Sequence, residues 1–128
     1  MNLFLTIVFT VWACCDLQGQ TIQHSATLQW SDTLNPVGTN YSIYRSNGPC
    51  TLAQNFIKLV GPIAIPPVNS GTPTIFSYQD DTVGIGTYCY HVTATASGNS
   101  ESTPSNNVQG TIVPMISFPP INLTITVK

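Results

Sequence analysis

Charge is what this chain has least of. Of 128 residues only three are Lys or Arg and five are Asp or Glu, giving a net charge of −2. Arg45, Lys58 and Lys128 are too few and too scattered to neutralise a run of phosphates, which excludes nucleic acid as a partner. Histidine is nearly as scarce. His24 precedes a strand and His91 is read on the solvent face of one, and neither falls in a set that would run general acid–base chemistry. There is no Gly-x-Ser-x-Gly elbow and no glycine-rich phosphate loop ahead of a helix, so the chain reads as a non-enzyme. Cys14, Cys15, Cys50 and Cys89 lack Cys-x-x-Cys spacing. No metal or cofactor is implied. No apolar run reaches the ~20 residues of a transmembrane helix, and no 3.6-residue period persists over about ten residues.

What remains is 42% apolar residues with aromatics spaced along the chain, a composition that packs rather than one that stays disordered. The polar surface must then be built mainly from Ser, Thr, Asn and Gln. Ser25 to Trp30 alternates, with Ala26, Leu28 and Trp30 on one face, and Asn40 to Arg45 follows with Tyr41 and Ile43 inward. Short strands are also expected at Phe56 to Val60, Pro73 to Gln79 and Ser105 to Val113, while the proline- and glycine-rich Gly61 to Thr72 is expected to cross the surface. The clearest strand is Gly86 to Ala96. There Tyr88, Tyr90, Val92 and Ala94 share one face and Cys89, His91 and Thr93 the other. Asp80 and Asp81 sit in a turn, where Asp bonds its own backbone, and Glu101 is a lone acid beside the Ser97-Gly98-Asn99 hairpin signal. Two sequons, at Asn40 and Asn122, are incidental in a chain so rich in Asn, Ser and Thr. The expected fold is all-β, an antiparallel immunoglobulin-like sandwich of about seven strands.

Residues 1–19 form a signal-like segment, with an apolar run at 3–13 of signal-peptide length. Cleavage before Cys14 and cleavage that leaves Gln20 first are both compatible with the small residues Val11, Ala13, Leu17 and Gly19. Val-Trp-Ala-Cys is also lipobox-like, with Cys14 as the lipidation site. The segment has no Lys or Arg ahead of its apolar run, which a misassigned start codon or a retained segment that packs on the domain would also explain. Export predicts a secreted or cell-surface chain.

Five segments resemble the fibronectin type III domain of bacterial exported proteins. They are His24 to Trp30, Asn40 to Ser46, Phe76 to Val83, Gly86 to Ala94 and Ser100 to Asn106, within a domain spanning 20–113. The resemblance implies that Trp30 is the core tryptophan and that the Tyr88 hydroxyl bonds back to the backbone at a tyrosine corner. In a sandwich of this kind the end of strand 40–45 lies beside the start of strand 86–96. That implies a Cys50–Cys89 disulfide closing a loop of about 40 residues. Family members serve as spacers or binding modules, so protein or polysaccharide contact is the implied role. The adhesive Arg-Gly-Asp of some members is missing, and Ser97-Gly98-Asn99-Ser100 stands in that place.

Residues 114–128 are a proline-started, strand-like tail in which Leu123, Ile125 and Val127 alternate. It reads as the first strand of a truncated second domain, as an extra edge strand, or as an element donated head-to-tail to the next copy through residues 117–127. The function expected from the whole is a non-catalytic extracellular or cell-surface binding or spacer module. Assembly by strand donation is the alternative.

Overall fold

The structure is a computed structural model that describes residues 4–8, 24–53 and 55–114. Every regular element among them is a strand: β1 (Phe4–Val8), β2 (Ala26–Ser31), β3 (Asn40–Asn47), β4 (Ile57–Ile63), β5 (Ile75–Asp80), β6 (Gly86–Thr95) and β7 (Val108–Ile112). They form a three-stranded sheet, β1-β2-β5, and a four-stranded sheet, β4-β3-β6-β7. All pairings are antiparallel. The chain is therefore an all-β sandwich.

Period-two alternation builds the core. Ala26, Leu28 and Trp30 from β2 meet Tyr41 and Ile43 from β3 and Tyr90, Val92 and Ala94 from β6, all buried. Trp30 lies edge-on to Tyr41 at 5.3 Å and stacks on Phe76 at 6.0 Å, both favourable ring geometries. Tyr88 is only half-buried. Its hydroxyl donates to the Gly84 carbonyl at 3.2 Å and accepts from the Gly84 amide at 3.1 Å, closing the corner before β6.

Most strand ends shift by a few residues from the sequence reading, and two departures are larger. β4 runs on through Gly61 and Pro62 to Ile63 instead of stopping at Val60. It can do so because it is an edge strand, where a missing amide donor faces outward, and its register with β3 shifts between Tyr41 and Tyr44. Gly61 has φ of 110°, and a Cβ there would lie 2.6 Å from Ser42 Cα, so only glycine lets the two strands approach so closely. At the other edge, Phe4–Val8, inside the apolar run at 3–13, forms β1 against β2 with Leu5 buried.

The two sheets are joined at opposite poles by buried carboxylates. At the pole where β2 ends, Asp32 accepts the Tyr41 hydroxyl at 2.9 Å and the amides of Leu34 and Asn35 at 3.1 Å each. At the other, Asp80 accepts the Tyr90 hydroxyl at 2.9 Å and pairs with the Arg45 guanidinium at 2.7 Å. Burial by itself would raise both acids. Hydrogen bonds outweigh it, from Asn35, Leu34 and Tyr41 onto Asp32 and from Thr82, Tyr90 and Arg45 onto Asp80, so both are held below the usual carboxylate value. The turn reading of Asp80 holds in part, since its Oδ1 accepts the Thr82 amide at 3.0 Å, but its other oxygen faces the core.

Asp80→Ala strands the Arg45 charge in a nearly closed site and is expected to cost about 3 kcal/mol of unfolding free energy. Tyr41→Phe removes one bond from an acid that Asn35 still holds and should cost about 1 kcal/mol. Urea denaturation of the two variants checks this, and equal small losses would refute it.

Candidate functional site

The face of β3 and β6 turned away from the core carries Ser42, Tyr44 and Ser46 from β3 and Cys89, His91 and Thr93 from β6. Antiparallel register sets Tyr44 directly between His91 on β6 and Lys58 on β4. Such directly opposed side chains are the pairs through which a sheet face is stabilised. Here they build one cluster of rings and charges.

Cys50 and Cys89 form a disulfide with S–S 2.05 Å. Because Cys89 points to the outer face, the bond pins the chain after β3 onto that face. Further along, Phe56 lies against His91 with ring centroids 4.2 Å apart, and Tyr44 flanks the same imidazole at 4.9 Å. Cys50 and Phe56 are thus both held against residues of β6. His91 is consequently 8% exposed. This corrects its reading as a solvent-face histidine: alternation does put it outside the sandwich core, but the Phe56 and Tyr44 rings cover it there. Burial pushes its pKa down, against a hydrogen bond with Asn107 and the charge of Glu101, which push it up.

Glu101 is also no lone acid. One carboxylate oxygen accepts the Tyr44 hydroxyl at 2.6 Å and the Thr93 hydroxyl, and the other accepts from Lys58 Nζ at 3.2 Å. Lys58 Nζ in turn stands 5.2 Å over the Tyr44 ring. The hydrogen bonds from Thr93 and Tyr44, with that from Lys58, pull the Glu101 carboxyl down to about 2. An acid so saturated with donors stays ionised at neutral pH and has no proton to give. Beside it the imidazole is covered by two rings. The patch presents a half-buried ring, one compensated charge pair and, around it, the exposed residues Asn55, Asn107 and Gln109.

Among the described residues no three His, Cys, Asp or Glu side chains are grouped so as to hold a metal ion, and no helix is long and apolar enough to cross a membrane. Cys14, Leu123, Ile125 and Val127 lie outside the described residues. The sequence reading found Cys50 and Cys89 but missed Tyr44, Phe56, Lys58 and Glu101. One signal was present, since Cys89 and His91 share a face and a cysteine-tethered loop must bring some side chain over it. No family model, curated protein or solved structure matches the chain.

Two outcomes are expected. His91, Asp32, Asp80 and Glu101 all have folded values below their unfolded ones, so the unfolded chain takes up protons first as the pH falls. Each group's contribution is present above its unfolded value and lost as pH drops through its folded one. Stability should decline shallowly below about pH 6.5, from His91, and steeply below about pH 4, from the acids. Urea midpoints between pH 8 and pH 3 check this, with His91→Gln removing the upper decline. Separately, replacing Cys50 and Cys89 by Ser should cost about 4 kcal/mol for a loop of this length, read from the same denaturation curves.

Proposed function

We propose that the chain is a non-catalytic binding or spacer module of fibronectin type III type, acting outside the cell or at its surface through protein or carbohydrate contacts. The observation that carries this reading is the outer-face cluster of Tyr44, Phe56, His91, Lys58 and Glu101, an ordered patch with donors, acceptors and a ring and no proton-transfer pair. The disulfide supports an oxidising compartment. The strand order and the Tyr88 corner support the family resemblance.

Electrostatics narrows the partner. Arg45 is paired inside with Asp80, Lys58 with Glu101, and Asp32 is buried. Asp81 is the one described acid left on the surface without a cation, so the described surface is close to neutral. Neutral polysaccharides and uncharged protein surfaces suit it, and polyanions do not.

Electrophoresis through gels containing neutral polysaccharides, with overlays on surface proteins of the native host, tests the reading. Retardation or capture is expected for the full chain, at least tenfold weaker for Phe56→Ala and Lys58→Ala with the fold intact. No retention, or retention indifferent to both substitutions, would remove the patch as the binding face. Hydrolysis of such a substrate by the purified chain would remove the non-catalytic reading.

A further inference from the structure

The place of β1 on the sandwich has an unusual occupant. β1 pairs with β2 from Phe4↔Ser31 to Val8↔Thr27, which sets positions 5 and 7 opposite the buried Trp30 and Leu28. Beyond those backbone pairs, Leu5 fills the core side of the slot and its amide donates to Asn106 Oδ1 at 3.2 Å, beside β7. The sequence of β1 is Phe-Leu-Thr-Ile-Val. It belongs to the apolar run that reads as an export signal.

Residues 122–127 are Asn-Leu-Thr-Ile-Thr-Val, which repeat the Leu-Thr-Ile of β1. Laid on β2 in the β1 register, Leu123, Ile125 and Val127 fall opposite Trp30, Leu28 and Ala26, each of them buried in the core. Thr126 then faces Thr27, a cross-strand pair favoured on a sheet's outer side. Neither segment carries a charge, so nothing electrostatic opposes the exchange.

Direction decides whose tail it is. β1 runs from the pole where β2 ends to the pole where β2 begins, and β7 runs the same way, bringing Pro114 to the latter pole. To enter the slot in the direction of β1, a tail must start from the opposite pole. A second copy stacked end to end on that pole supplies the start, with residues 115–121 able to span about 23 Å when extended.

We infer that the β1 slot is a strand-accepting site, and that its partner is the segment Asn122–Val127 of a second copy, which takes the place of β1 when β1 leaves. The contact is heterologous and does not close on itself, so repetition builds a filament. It stands independently of the ligand of the outer-face patch.

The test uses the full chain. With β1 in place the protein should be a monomer by light scattering at high concentration. Leu5→Asp, or Thr6→Pro if the first variant does not fold, should at least double the weight-average mass in a concentration-dependent way, with circular dichroism still reporting a sandwich. Adding Ile125→Asp should return the monomer. In the assembling variant, Thr27→Cys with Thr126→Cys should give a disulfide between chains, located by peptide mass. Monomeric Leu5→Asp and Thr6→Pro chains, assembly that survives Ile125→Asp, or a cross-link between positions 27 and 126 formed only within one chain would each overturn the inference.

Discussion

The buried bond from Tyr90 to Asp80, with Arg45 on the same carboxylate, is the constraint around which the sandwich is organised. Apolar packing between two sheets is tolerant of small sliding movements, because dispersion contacts have little directional preference. A carboxylate 1% exposed, shared by a strand of each sheet, allows none. Its mirror at the other pole, Asp32 with Tyr41, fixes the second end. Between these two bonds Trp30, Tyr41 and Phe76 pack ring against ring. Desolvation offsets much of the attraction between Arg45 and Asp80, so that pair is weak evidence of added stability.

Fixing the relative position of the sheets also fixes the outer face. Arg45 and Tyr44 are neighbours on β3 and point to opposite sides, so the register that brings Arg45 to Asp80 also brings Tyr44 to His91, Lys58 and Glu101. The disulfide acts on the same strand pair from outside, and Phe56 lies over His91 of β6. Core and patch are thus two sides of one register.

Much of the core was legible in the residues. Trp30, Leu28, Tyr41, Ile43, Tyr90 and Val92 are buried because strict alternation leaves a strand residue only two sides to face. The Cys50–Cys89 pairing followed from the resemblance, which supplied the neighbourhood of the two strands. His91, Glu101 and Asp80 were not legible. Each looked isolated in sequence, and each acquires partners far along the chain: Phe56 for His91, Tyr44 and Lys58 for Glu101, Arg45 for Asp80. The extent of β4 through Pro62 was misread for a related reason, because an edge position is a property of the sheet and not of the residue.

The sequence by itself determined the all-β class, the inward face of each main strand and the neutral character of the surface, since these follow from local alternation and from composition. Tertiary structure alone decided which acids are buried, that Phe56 covers His91, and that Phe4–Val8 pairs with β2. The physical reason is range. Alternation acts between adjacent residues of one strand, whereas an ion pair, a covering ring or an edge pairing depends on segments that only the completed fold brings within a few ångströms.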